Sequence, residues 1–235
     1  MSPNTAFVEE IMTQSRAALS RLEQLEAIRS FVETGLPVPR PYLGSGEIRL
    51  VIIGQDPTVQ QEQQRAGIKT VLNLDKRGGL NTYLAQLCQD LGLSLANVYA
   101  TNACKNFFVQ PPTTIKEVNV LAASAPVWLP ILQAELAQFP SAMVISLGQP
   151  VLSMLVKPGF PREMKQYWGY HRHWRQGKSN PMRPIAAAES TVERTIFPFV
   201  HQPTTRSQRA EFYRIKRGEY IGFIRRQTNF SRVIK

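Results

Sequence analysis

The sequence predicts an α/β fold, a three-layer α/β/α domain around a central, mainly parallel four-stranded sheet. Four short apolar runs, Arg49–Ile53, Asn97–Thr101, Ala142–Leu147 and Thr195–Val200, have the character of strands. Segments with helical spacing separate them, as crossovers between parallel strands require. Each run also ends near a residue suited to a turn or a ligand: Asp56, Asn102, Gly148 or His201. Right-handed crossovers put those four on one rim of the sheet, and that rim is where open α/β sheets bind ligands.

Taken in order, residues 6–34 read as a helix. Ala18, Leu19, Leu22, Leu25, Ile28 and Phe31 recur at spacings of three and four, and Gly35 follows as a stop. Pro37, Pro39 and Pro41 make an extended connector. The run Val51-Ile52-Ile53 is β-branched throughout, the pattern of a strand buried on both faces. Gly54 permits a sharp turn, and Asp56-Pro57 ends any ladder. The polar, glutamine-rich stretch Val59–Arg65 reads as a mobile rim. Asn81–Leu91 is a helix with Tyr83, Leu84, Leu87, Cys88 and Leu91 on one stripe, which makes Cys88 a core residue.

After Gln110-Pro111-Pro112, Thr113 or Thr114 caps a helix with Glu117 in its first turn, running to about Gln138. Gly148 opens the helix Pro150–Val156. Residues 157–194, with Pro158, Pro161, Pro181 and Pro184, fit no regular element and read as a long loop or insertion. Pro198 places the last strand at a sheet edge, and Ser207–Arg226 reads as a basic helix. The whole chain, 1–235, is expected to be one domain. Residues 1–48 form its N-terminal helix and connector, 157–194 its long loop, and 201–235 its basic C-terminal segment.

Composition narrows the function. The apolar fraction of 43% is that of an ordinary globular protein. No apolar run approaches the roughly 20 residues that span a bilayer. Met1–Leu19 carries Glu9 and Glu10 and no apolar h-region, unlike a signal peptide. Two cysteines, Cys88 and Cys104, make neither a disulfide framework nor a four-thiolate metal or cluster site. A reduced, cytoplasmic setting is expected.

The net charge of +11 calls for an anionic partner, nucleic acid ahead of a membrane surface. The charge is uneven: Lys165–Arg175 interleaves Arg172 and Arg175 with Tyr167, Trp168, Tyr170 and Trp174. That mixture suits phosphate contact and base stacking. His171 and His173 lie there without a carboxylate or thiolate cluster, so they read as phosphate contacts or surface packing rather than metal ligands.

The rim residues carry the chemistry. Asp56 holds a carboxylate at a strand end, where the alternative is a turn residue bonded to its own backbone. The Asn102 amide presents a donor and an acceptor together, where the alternative is an Asx-turn. Cys104 reads as a small buried residue, since nothing in the sequence marks a base that would activate it. A carboxylate, an amide and a histidine on one rim of a basic protein outline a catalytic constellation.

Four motifs in order carry a resemblance to the uracil-DNA glycosylase superfamily. Gly54-Gln55-Asp56-Pro57 matches the first four letters of that superfamily's GQDPY motif. Val98-Tyr-Ala-Thr-Asn102-Ala-Cys-Lys105, followed by Pro111-Pro112, is similar to the second-strand motif of the thermophilic branches. Val144-Ile-Ser-Leu-Gly148-Gln149-Pro150 resembles the third-strand turn, and His201 stands where the HPS motif closes the site. The resemblance spans about residues 49–210. It implies a glycosylase-like fold and a base-excision DNA repair hydrolase that flips a deaminated base out of DNA.

The resemblance also implies residue roles. Asp56 would position the attacking water and stabilise the oxocarbenium-like sugar. His201 would donate to the departing base. Gly54, Gln55, Pro57, Thr58, Asn102 and Gly148 would form the base pocket, with Asn102 reading the Watson–Crick edge. Arg206 would fill the gap left by the flipped base, with Thr204, Thr205, Ser207, Arg209, Arg172 and Arg175 also on DNA. No metal or other cofactor is required, and a monomer acting on DNA, with no membrane partner, is expected.

Three departures mark a divergent member. Thr58 replaces the tyrosine that blocks the thymine methyl group. No aromatic lies in Ile68-Lys69-Thr70-Val71, shortly after Gly67, so Phe107, Phe108 or an aromatic from 167–174 would stack on the base. HQPTTRS is one residue longer than HPSPLS, which leaves His201 and Gln202 both eligible for the histidine position. A non-catalytic or altered-specificity nucleic-acid-binding protein on the same fold is therefore the alternative function.

Overall fold

The computed structural model describes residues 3–160, 183–201 and 217–227. Its core is a mostly parallel five-stranded sheet. The strands are β2 (Tyr42–Leu43), β3 (Leu50–Gly54), β4 (Val98–Asn102), β6 (Met143–Leu147) and β7 (Ile196–Phe199), in the order β2-β4-β3-β6-β7. β4, β3, β6 and β7 are parallel, and β2 runs antiparallel to β4 at the edge. The expected four strands are thus joined by a fifth. β2 hides in the proline connector because two residues are too few to show any alternation. A separate ribbon pairs β1 (Val32–Glu33) with β5 (Phe107–Phe108).

Helices cover both faces of the sheet, an arrangement compatible with three α/β/α layers. Val51, Ile53, Tyr99 and Val144 point to one face, where α1 (Pro3–Leu22), α4 (Val120–Gln138) and α5 (Gln149–Leu155) pack. Leu50, Ile52, Val98, Ala100 and Ile145 point to the other. There they meet Leu84, Leu87 and Cys88 of α3 (Gly79–Asp90) and Tyr220, Ile221 and Ile224 of α6 (Arg217–Gln227). Alternation along each strand therefore fills two cores from one sheet. Of the expected helix over 207–226, residues 207–216 lie outside the described residues.

Three helix boundaries differ from the sequence expectation. α1 stops at Leu22, twelve residues early, because i→i−3 bonds tighten the chain at Gln24 and Leu25. The chain then turns back, and Ile28 and Val32 still enter the core, so the apolar spacing survives a break in the helix. α4 begins at Val120 rather than Thr113 or Thr114. Asn119 is its cap, accepting from Ala122 N at 3.1 Å, while Pro112–Thr114 forms a separate 3-10 turn. Val59–Arg65 contains a short helix, α2 (Glu62–Arg65), ending on a buried arginine.

α4 also corrects the reading of apolar runs. Its 19 residues, with mean hydropathy 1.4, are long and apolar enough to cross a membrane by length and composition. Half of it is buried inside the protein, however, and its single charged residue, Glu135, is fully buried. In this chain α4 is a core helix. Within the long loop, the described residues 183–194 are tied down: Ile185 bridges Ile196 and Ser190 bridges Val156.

Candidate active site

The parallel order of β4, β3, β6 and β7 brings the ends of all four strands to one rim. Asp56 follows β3, Asn102 ends β4, Gly148 follows β6 and His201 follows β7. Adjacent strands lie about 4.8 Å apart, so the ends of β3 and β7 stand about 10 Å apart with β6 between them.

The first half of the rim is a locked pair of loops. Gly54 and Asn102 are register partners, and the bonds Ala103 N to Gly54 O and Cys104 N to Gln55 O (both 2.8 Å) extend the pairing past the strand ends. A side chain at 54 has no space: a Cβ there would overlap Asn102 Oδ1 and lie 2.8 Å from Leu72 Cδ2. Glycine is required here by that close approach. Asn102 itself is buried, and among the described residues its Oδ1 has no hydrogen-bond partner. A buried carbonyl oxygen without a donor is costly, and a ligand N–H would relieve it.

Asp56 is held by hydrogen bonds from Gln55 and from both the backbone and the side chain of Thr58. Gln55 Nε2 donates to Oδ1 at 2.7 Å, and the Thr58 backbone N–H donates to Oδ2 at 2.8 Å. Each oxygen keeps lone-pair capacity for a further donor. Part of the residue reaches solvent, yet the carboxyl sits low among protein atoms, and loss of hydration raises its pKa to about 6. The hydrogen bonds from Thr58 and Gln55 and the Arg65 charge oppose that rise without cancelling it. Pro57 is buried beside it. The Thr58 hydroxyl accepts from Phe108 N at 2.8 Å, which ties this loop to β5.

The second half of the rim is formed by Gly148 and His201. Gly148 has φ +92°, a conformation open chiefly to glycine, and donates to Phe199 O at 2.8 Å. A Cβ on Gly148 would lie 3.5 Å from His201 Cβ, so the two residues touch across the β6–β7 junction. His201 is exposed at the rim, while partial loss of hydration holds its pKa below the usual histidine value. Tyr83 on α3 donates to Val200 O at 3.0 Å and so fixes the residue before it.

Thr204, Thr205, Arg206, Ser207 and Arg209 lie outside the described residues. So do Gln202, Arg172, Arg175 and the aromatics of 167–174. Phe107 and Phe108 are both fully buried in β5.

Sequence reasoning missed three features. Arg65, read as part of a mobile rim, is 3% exposed and donates to Val59 O, Phe108 O and Val109 O at 2.9–3.2 Å. Its role is hidden because two of its partners lie 43 and 44 residues away. An Arg65→Met variant keeps the stem but leaves three carbonyls without their cation. It is expected to lose about 2–4 kcal/mol in urea unfolding. It should also raise the Asp56 pKa further, seen as an alkaline shift in an NMR titration. An unchanged Asp56 titration would show that Arg65 is structural alone.

The second feature is a cavity of about 430 Å³ beside the rim, lined by Leu72, Lys76, Arg77 and Asn81 among others, with no carboxylate in its lining. The third is a buried ion pair under Asn102, Lys105 with Glu135, whose members are 30 residues apart in sequence. Among the described residues no group of three or more His, Cys, Asp or Glu could hold a metal ion.

No protein-family model matches this chain, and no curated protein matches it either.

Proposed function

We propose that this chain is a DNA glycosylase with a uracil-DNA glycosylase-like fold, hydrolysing the N-glycosidic bond of uracil or another deaminated base flipped from DNA. The observation that carries the reading is the buried Asn102 Oδ1, without a partner among the described residues and set against Gly54, one loop away from a carboxylate of raised pKa. An acceptor of this kind selects a base edge that offers an N–H, as uracil N3 does and cytosine N3 does not.

The reaction follows from the same groups. As the C1′–N1 bond breaks, its electron pair leaves with the base, and the sugar gains positive charge. The Asp56 carboxylate stabilises that charge and orients a water whose oxygen bonds to C1′. With a pKa of about 6 it is also basic enough to accept the water's proton near neutral pH. His201 donates to the base oxygen on which negative charge gathers. Lys76 and Arg77 beside the rim, with the net charge of +11, suit the DNA backbone.

One observation favours altered base specificity over strict uracil specificity. The Thr58 hydroxyl bonds Phe108 N, and threonine fills less of the pocket than the tyrosine of the GQDPY motif. The deciding experiment is single-turnover cleavage of labelled oligonucleotides carrying one uracil, opposite G, opposite A and single-stranded, with wild type and Asp56→Ala. Abasic product from wild type alone is the expected result. Salt-dependent binding without cleavage of uracil, and then of hypoxanthine or xanthine, would leave a non-catalytic DNA-binding protein.

A further inference from the structure

Asn102 is gripped from the side opposite its amide. Lys105 Nζ donates to the Asn102 backbone oxygen at 3.2 Å, to Thr101 Oγ1 at 2.6 Å and to Glu135 Oε2 at 2.6 Å. Glu135 Oε1 in turn accepts from Tyr99 OH at 2.6 Å and Thr101 Oγ1 at 2.9 Å. Lys105 is 4% exposed and Glu135 fully buried. Every bond in this network joins the β4 segment, Tyr99 to Lys105, to itself or to one residue of α4.

Strand alternation explains the geometry. Tyr99 and Thr101 face α4, whereas Ala100 and Asn102 face the α3 side, where Leu72 meets Gly54. The ammonium therefore fixes the backbone of Asn102 from behind while the amide projects forward. A buried ion pair is a poor way to gain stability, because apolar residues of similar volume do as well or better. What it supplies is a fixed backbone position at one strand end.

We infer that Lys105 and Glu135 are positioning residues that set the orientation of the Asn102 amide and so the base selectivity of the site. This rests on the glycosylase reading for its functional consequence, but not for its structural one. Neither residue touches the proposed substrate.

The test uses Lys105→Met/Glu135→Gln, which removes both charges together, leaves no ion unpaired and keeps an Oε1 acceptor for Tyr99 OH and Thr101 Oγ1. Lys105→Met alone serves as the contrast, because it strands the Glu135 carboxylate and is expected to unfold at lower temperature. In the double variant, thermal unfolding within a few degrees of wild type is expected.

Two readouts then decide. In a 15N spectrum, the Asn102 side-chain amide, identified by its loss in Asn102→Ala, is expected as one sharp pair in wild type and a broadened or shifted pair in the double variant. In cleavage assays, the double variant is expected to lose about tenfold or more in single-turnover rate on uracil, with unchanged affinity for the DNA. A folded double variant with an unchanged amide signal, or with wild-type cleavage of uracil, overturns the proposal. Wild type that cuts no deaminated base overturns the glycosylase reading instead, and the amide signal still decides the positioning role.

Discussion

Replacing Asp56 with asparagine is expected to lower single-turnover excision by about 10²–10⁴-fold and at the same time to flatten the dependence of stability on pH. The shape of the loop survives the change, but the amide can neither take the water's proton nor offset a developing cation. The stability effect has a definite sign. Because the folded-state pKa of Asp56 is raised from 3.8 to about 6, the carboxyl contributes stability that is fully present below about 3.8 and is lost as pH rises through about 6. Allowing for the solvent-open side of the residue, the contribution lost is about 1–2 kcal/mol.

Urea unfolding of wild type and Asp56→Asn at pH 4, 5, 6 and 7 should therefore give two curves that separate across this window, with wild type falling relative to the variant. Wild-type excision should rise with pH through the same range, as the carboxylate forms. Parallel stability curves, or a rate flat between pH 5 and 7, would mean that Asp56 is an ordinary turn residue.

The second large effect is expected from Gly54→Ala. The added methyl must displace the Asn102 amide or the Leu72 side chain, whose ends occupy its place. Overpacking of this kind costs about 1–3 kcal/mol. A shift of the reading amide by about 1 Å is enough to cost on the order of 100-fold in rate. Glycine's backbone freedom is not the issue at this position, so Gly54→Ser should behave like Gly54→Ala or worse. At Gly148, where φ is +92°, alanine should instead be costly through the backbone. Wild-type excision by Gly54→Ala would show that Asn102 does not read the base.

The central strands were legible because they are buried on both faces. Leu50–Gly54, Val98–Asn102 and Met143–Leu147 show no alternation to misread, and a turn residue closes each. The rim positions of Asp56, Asn102, Gly148 and His201 followed from direction alone, since parallel strands end together. What escaped sequence reasoning depends on distant partners. Glu135 looks like a polar interruption in an apolar helix until Lys105, Tyr99 and Thr101 are seen to meet it. Arg65 looks like a solvated charge in a glutamine-rich loop until the carbonyls of Phe108 and Val109 are placed beside it. The end of α1 was misplaced for a different reason: the chain turns, but Ile28 and Val32 regain the core and keep the period.

The way the sheet ends has a consequence for how the chain behaves among copies of itself. A sheet invites a stranger wherever a long, straight edge shows unpaired N–H and C=O groups. At one edge β2 is only two residues long, with Pro41 before it and Gly44 after it. At the other, β7 carries Pro198, which has no N–H to offer, and its first residue, Ile196, is already bridged by Ile185. Among the described residues, neither side of the sheet can template another strand. Copies of this chain are thereby kept from joining edge to edge.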